Sequence, residues 1–312
     1  MRLVTFEAGY GARLGGLDGD HVVDLNAAHA ALLASRGVPR ARARARLEVP
    51  PDATAFLAEG VDARRRAEEA VGFARDAGVR GLRTARAGLS LLPVVPRPPK
   101  VICVGLNYRS HIEEMGRDLP AYPVLFAKFA DTLTGANDNV VKPAQTNEMD
   151  WECELAIVIG KTAHHAKGAE AEAAIAGFSV LNDFSMRDYQ FRTREWLQGK
   201  IWDSTTPVGP YIVTPDELPG GVRPSLNAQL TVDGMEKQHA NTSDLLFDPA
   251  RLVEYISTII TLRPGDIIAT GTNGGVGHAR KPQEFLWGGE TVAATIEGIG
   301  TLTTHVVKDG VS

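Results

Sequence analysis

Hydrophobic and polar positions follow two periods along the chain. Near the N-terminus, Leu3–Phe6, Ala12–Leu14 and His21–Leu25 are short apolar runs separated by glycine-rich turns, which predicts three short strands. Asn26 then stands where a cap would open a short helix over residues 27–33. Residues 52–77 carry Phe56, Leu57, Val61, Ala67, Ala70, Val71 and Phe73 at helical spacings, broken near Gly60. That pattern predicts two helices packed on a small sheet. The intervening ARARARLEV at 41–49 alternates Arg with Ala and reads as a solvated helix face or an edge strand.

PVVPRPP at 93–99 holds four prolines, a stiff segment that suits neither helix nor inner strand. It predicts an accessory domain over 1–92, a linker over 93–99 and a larger domain over 100–312. Beyond Lys100 the pattern turns to strands: Val101–Val104, Val124–Phe126, Leu155–Ile159, Phe178–Leu181 and the alternating Leu226–Val232, which ends in an Asp233-Gly234 hairpin signal. Pro249–Leu262 reads as a helix, with Leu252, Val253, Ile256, Ile259 and Ile260 on one broad face. The tail alternates again over 291–297 and 302–307. There is no regular βαβ repeat, so the expected fold is a strand-rich α+β body, a rolled or folded-over sheet.

Composition narrows the chemistry. The 312 residues include 33 Lys and Arg against 38 Asp and Glu, a net charge of −5, and no basic stripe argues for nucleic acid. Two cysteines, Cys103 and Cys153, sit among apolar neighbours and read as buried free thiols. No apolar run approaches the roughly 18–20 residues of a membrane span, and the N-terminal stretch lacks a secretory apolar core. The default expectation is a soluble cytoplasmic protein.

Two clusters carry candidate chemistry. In MDWECELAIVIGK, Glu152 and Glu154 are two apart on a strand, so both project from one face while Cys153 and Leu155 take the other. Asp183 ends the apolar strand GFSVLND and offers a third carboxylate. Three carboxylates with no Cys or His suit a hard cation such as Mg²⁺, Mn²⁺ or Ca²⁺; a solvated edge strand is the plainer alternative. In GLNYRSHIEEMG, His111 and Glu114 are three apart and share a face of a helical turn. They fit a water-activating dyad equally as well as an ordinary acidic helix start.

CVGLNYRSH at 103–111, DWECELAIVIGK at 150–161, NDFSMRDYQ at 182–190, GKIWDSTTPVGPYIVT at 199–214 and TGTNGGVG at 270–277 together resemble the fumarylacetoacetate hydrolase family. The resemblance runs from Lys100 to the C-terminus, and the shorter N-terminal part is similar to the accessory domain of two-domain bacterial members. It implies a mixed β-sandwich roll, with Glu152, Glu154 and Asp183 as ligands of Mg²⁺ or Mn²⁺ and His111 with Glu114 as a catalytic dyad on a loop that orders over substrate. It implies Lys128 as the family lysine near the metal, Arg187, Gln190 and Lys200 in blocks that line the pocket, and Thr272 meeting a substrate carboxylate. Homodimers are usual in the family. Leu106 stands where many members carry Arg, Asn273 where many carry Pro, and Met186 where a smaller residue is common.

The expected activity is hydrolysis of a C–C bond in a 2-oxo acid or β-diketone, with His111 and Glu114 activating water and the metal stabilising an enolate. Oxaloacetate-type decarboxylation and 2-oxo acid tautomerisation or isomerisation are the alternatives on the same site. A non-catalytic interaction protein is the remote one. His164, His165, His239, His278 and His305 receive no role from the sequence.

Overall fold

The computed structural model describes residues 1–77, 81–114, 116 and 118–310. A large sheet runs in the order Arg83–Ala85, His21–Asp24, Ala12–Asp18, Arg2–Glu7, Thr206–Val213, Ile175–Asn182, Cys153–Ile159, Ile267–Thr272, Val101–Gly105, Val124–Lys128. The N-terminal hairpins are thus continuous with the site-bearing strands, because Arg2–Glu7 pairs antiparallel with Thr206–Val213. A smaller sheet of Met235–Asn241, Asn227–Val232, Thr291–Ile296, Gly300–Lys308 and Val140–Lys142 folds over one face. The mixed α+β roll expected from the sequence is therefore present.

Strand alternation divides the core. Cys153, Leu155, Ile157 and Ile159 face the small sheet and the helix Pro249–Ile259, whose Leu252, Val253 and Ile256 are buried with them. Ala156 and Val158 face the other way, into a core shared with the helices Leu25–Ser35 and Gly60–Asp76 and with Val94 and Val95 of the proline-rich segment. The helix pair expected over 52–77 is Ala53–Ala58 and Gly60–Asp76. Residues 41–48 form a helix with only Ala45 buried, so its arginines are a solvated face. One expectation shifts by two residues. Asp24, not Asn26, caps the first helix, accepting the Ala27 N–H at 2.9 Å, while the Asn26 amide turns inward to Val49 O at 2.8 Å. The carboxylate gains from both the cap and its pair with Arg13 at 2.7 Å, and outcompetes the amide.

Candidate metal centre and its cleft

The ends of two paired strands build the site. Cys153–Ile159 and Ile175–Asn182 are antiparallel with Cys153 opposite Asn182, so the residues just outside them meet. The Asp183 N–H donates to the Glu152 carbonyl at 2.9 Å, and the Glu152 N–H to Asn182 Oδ1 at 3.0 Å. Glu152, Glu154 and Asp183 are all buried, and one oxygen from each lies within 4.8 Å of the others. The edge-strand alternative fails on burial.

Like charges this close need compensation. Lys128, fully buried at the end of its strand, donates to Asp183 Oδ1 at 2.7 Å and also contacts the Lys200 carbonyl. Lys200 reaches Glu152 Oε2 at 2.7 Å, Asp183 Oδ2 at 2.9 Å and Ser185 Oγ at 2.6 Å, which uses all three ammonium protons. Arg187 spreads its guanidinium over Asp150 (2.8 Å), Gln190 Oε1 (2.8 Å) and Glu152 Oε1 (2.7 Å). Burial alone would raise the Asp183 carboxyl, but Lys128 and Lys200 outweigh it and hold it below its ordinary value. Burial likewise opposes the Lys200 charge, and Asp183 and Glu152 win, keeping it protonated.

Glu154 is different. Its Oε2 accepts the Gly271 N–H at 2.8 Å, and among the described residues no cation pairs with it. Burial, then Asp183 and Glu152, push its carboxyl well above the carboxylate range. Four carboxylates with Asp150 thus face three cations, and the unbalanced one is a member of the triad. A divalent cation on Glu152, Glu154 and Asp183 would supply the missing charge through hard oxygen donors. This buried acidic cluster can coordinate a divalent metal.

The surrounding loops are fixed by backbone. Gly271 has φ of 97°, and a Cβ there would meet Val104 O at 2.7 Å, so only glycine allows the strand end to turn its N–H onto Glu154. Asn107 holds the histidine loop by donating to Phe247 O at 3.1 Å and Thr270 O at 2.8 Å and accepting from Phe247 N–H at 2.8 Å. Beyond it, Arg109–Glu114 is helical and places His111, buried, on the cleft wall; the Glu114 side chain lies outside the described residues. The cleft, about 280 Å³, has Glu152, Glu154, Arg187, Gln190, Lys200 and Thr272 on its polar part and Leu106, Phe126, Phe191, Trp196 and Val276 on its apolar part. Trp196 packs edge-on to Phe126 at 5.8 Å, and a Cβ on Gly105 would meet its ring at 2.3 Å.

Most sequence candidates therefore converge, namely His111, Glu152, Glu154, Arg187, Gln190, Lys200 and Thr272 around one cleft, with Asp183 and Lys128 directly beneath. Sequence reasoning missed others. Asp150 is fully buried and accepts from the Gly277 N–H at 2.6 Å, the His278 N–H at 3.0 Å and Arg187. It shares parity with Glu152 and Glu154, so the same period-two argument reaches it. Gln238 crosses from the small sheet. Its Oε1 accepts the Cys153 N–H at 2.9 Å, between the two glutamates, and its Nε2 donates to Thr272 Oγ1 at 2.8 Å and Asn273 O at 2.9 Å. Nothing in MEKQHAN marks it. The His164 and His165 rings lie tilted against each other with centroids 4.0 Å apart and do not line the cleft.

Residues 100–307 match the family described as fumarylacetoacetate (FAA) hydrolase, C-terminal, and the chain belongs to this family. Its members carry hydrolase, isomerase or tautomerase chemistry on 2-oxo acids and related diketones. The chain is 42% identical over 224 residues to the oxaloacetate tautomerase FAHD2A, mitochondrial, of Homo sapiens, covering 71% of each chain. Among solved structures it is similar to the fumarylacetoacetate hydrolase from Exiguobacterium antarcticum, with TM-score 0.80, 30% identity and 99% of each chain covered. It is also similar to maleylpyruvate hydrolase from Sphingobium sp. SYK-6 in complex with manganese(II) and pyruvate, with TM-score 0.71, 30% identity and 99% of each chain covered.

The cytoplasmic expectation is corrected by the FAHD2A relatives from Homo sapiens, Rattus norvegicus and Bos taurus, which carry mitochondrial names. Among the described residues no helix is long and apolar enough to cross a membrane. That property is shared by proteins of any aqueous compartment, so it selects none.

Proposed function

We propose that the protein is a divalent-metal-assisted keto–enol tautomerase of a small 2-oxo acid of the oxaloacetate class. The observation that carries this reading is the charge deficit at Glu154, inside a buried carboxylate triad at the polar end of a short cleft. The tautomerase name of a relative 42% identical tilts the reaction class away from the C–C hydrolysis expected first.

Glu152, Glu154 and Asp183 would hold Mg²⁺ or Mn²⁺. When bound, the cation would polarise the 2-oxo acid's carbonyl and so lower the barrier to enolisation. Lys128 and Lys200 hold the Asp183 carboxyl below its ordinary value, Lys200 aims Glu152, and Arg187 ties Glu152 to Asp150. His111 takes a proton from the carbon next to the ketone and returns it to the enol oxygen side. No water is consumed and no C–C bond breaks, so the step balances with one proton carrier. Glu114 follows His111 by one helical turn and is assigned to orient it. Leu106, Phe126 and Trp196 exclude water from the transfer. Thr272 stays at the cleft wall, where it is fixed by Gln238 and by donating to Cys153 O at 3.0 Å.

The site lies wholly within 100–312, which supports assigning 1–92 as an accessory unit joined through 93–99. A homodimer is included in the proposal. It is supported by the edge position of Val124–Lys128 and the half-exposed Phe129 beside it, and light scattering tests it.

The deciding experiment presents oxaloacetate to the Mn²⁺- or Mg²⁺-loaded protein and follows the enol absorbance together with carbon dioxide. Faster equilibration of the tautomers without carbon dioxide is expected. Carbon dioxide and pyruvate would assign a decarboxylase. Cleavage of an acylpyruvate with no effect on oxaloacetate would restore hydrolysis, the reading favoured by the likeness to the two hydrolase structures. Stoichiometric metal binding without any of these activities would leave an interaction protein.

A further inference from the structure

The cations of the cleft are already spent. Lys200 has three acceptors for its three protons, and Arg187 is committed to Asp150, Gln190 and Glu152. Lys200 therefore has no donor left for a ligand, and the Arg187 charge is balanced by Asp150 and Glu152, although both side chains line the cleft. Two neutral donors on the cleft have their orientation fixed by a neighbour.

The first is Gln190. Its Oε1 accepts from Arg187 Nη1 at 2.8 Å, which turns its NH₂ group away from the guanidinium. The second is His278, half-buried on the same cleft. Gln283 Nε2 lies 2.9 Å from the His278 carbonyl, which can only accept, so this atom is the amide's NH₂ and not its oxygen. The same nitrogen lies 3.2 Å from His278 Nδ1. Nδ1 is therefore the acceptor, and the ring carries its proton on Nε2. Burial and the Arg187 charge lower the imidazole's basicity, in keeping with a neutral donor. Asp150 clamps the backbone by accepting the His278 N–H at 3.0 Å, and Phe191, the residue after Gln190, packs on the ring at 4.9 Å. That contact ties the residue next to Gln190 to the His278 ring, and both Gln190 and His278 line the cleft.

We propose that His278, held as its Nε2–H tautomer by Gln283, acts with the Gln190 amide as a specificity-determining pair that receives the second carboxylate of a dicarboxylic 2-oxo acid. The inference rests on the reading of the triad as the chelating group of the cleft and adds which substrates the rest of the cleft selects. A dicarboxylate finds two donors whose orientation is set before it arrives. A monocarboxylate leaves both donors without a partner, which is how a polar site rejects the shorter analogue.

The test uses probes that chelate but do not react. Calorimetry on the Mn²⁺-loaded full chain compares L-malate, a dicarboxylic 2-hydroxy acid, with L-lactate, its monocarboxylic counterpart. Wild-type protein is expected to prefer malate by about tenfold or more, the scale of one charge-assisted hydrogen bond. His278→Phe keeps the stack on Phe191 and removes the donor. It should lower malate affinity by about that factor and leave lactate within about twofold. Gln283→Leu leaves the cleft's donors in place and frees the tautomer, so it should erode the preference in part. Imidazole ¹⁵N spectra, which do not depend on turnover or metal, should show His278 protonated at Nε2 in wild-type protein and a mixture in Gln283→Leu. An Nδ1–H ring in the wild type, or equal malate and lactate affinities there, overturns the proposal while the chelating triad stands. Binding of neither probe overturns the chelate reading and this inference with it.

Discussion

At the N-terminal end of the large sheet, Asp18 pairs with Arg75 and Arg83 at 2.9 and 2.8 Å, and Arg36 pairs with Glu69 across helices with both side chains about half exposed. At the other end, Asp150, Glu152, Glu154 and Asp183 are held with Lys128, Arg187 and Lys200 beneath the surface. The two ends share one hydrogen-bonded sheet and the same apolar packing. They differ in where they leave charge. The Arg36–Glu69 pair remains in water and adds little to stability. Buried ions lose their hydration, and well-packed apolar residues of similar volume would serve the fold as well or better. The charges at the site end are thus not explained by folding, and the unbalanced carboxylate among them points to a ligand that completes the set.

Removing one carboxylate from the buried end should have the largest effect. Asp183→Asn leaves Lys128 and Lys200 facing a neutral amide and is expected to cost about 3–5 kcal/mol of stability, the range for breaking a buried ion pair. Metal binding should be lost as well. Urea unfolding in the presence of chelator measures the first and Mn²⁺ calorimetry the second. A loss below about 1 kcal/mol would place these charges in the same class as the rim pairs.

Glu154→Gln should separate function from stability. The wild-type carboxyl is raised in the folded state, so below the ordinary carboxylate value it is protonated in both states and its contribution is fully present. As pH rises through the folded value that contribution is lost. Asp183 runs the opposite way. It is lowered by its lysines, so it supports the fold above the ordinary Asp value and ceases to as pH falls. Chelator-treated wild-type protein should therefore weaken toward alkaline pH, and both Mg²⁺ and Glu154→Gln should flatten that decline. Only the variant should lose metal binding. An unchanged slope in Glu154→Gln would remove Glu154 as the seat of the charge deficit.

The same contrast explains what was legible in the sequence. Alternation located the strands because one face of each is apolar, and the i, i+2 spacing put Glu152 and Glu154 on one side. The helix break near Gly60 and the Asp233-Gly234 hairpin are local and were equally readable. The cap at Asp24 was misplaced because a pair with Arg13, eleven residues away, shares in the choice. Gln238 and His278 were invisible for a related reason. Their roles depend on partners far along the chain, Cys153 for one and Asp150 for the other. The N-terminal strands looked like a separate small sheet, since no local pattern announces the pairing of Leu3 with Ile212.

Gln238 tests whether the small sheet positions the site or merely packs on it. Gln238→Leu keeps the volume and deletes the acceptor for Cys153 N–H and the donors to Thr272 and Asn273. Outer partners of metal ligands typically change affinity by about 10–100-fold, and that loss is expected in Mn²⁺ binding, with KM rising more than kcat falls. Gln238→Glu retains the acceptor and should recover part of the affinity. Equal losses in both variants, matched by a general fall in stability, would reduce Gln238 to packing.

Glu69→Ala defines the other end of the scale. Its carboxylate meets Arg36 at 2.5 Å, with side-chain exposures of 43% and 52%. The arginine lowers the Glu69 carboxyl, but nearly all of that interaction is felt through water. The expected change is below about 1 kcal/mol, shrinking further in high salt, with metal binding untouched. A large, salt-insensitive loss would mean that the helical layer couples to the sheet through its charges. In that case the sorting of charge into a rim for solubility and an interior for chemistry would no longer separate the two ends.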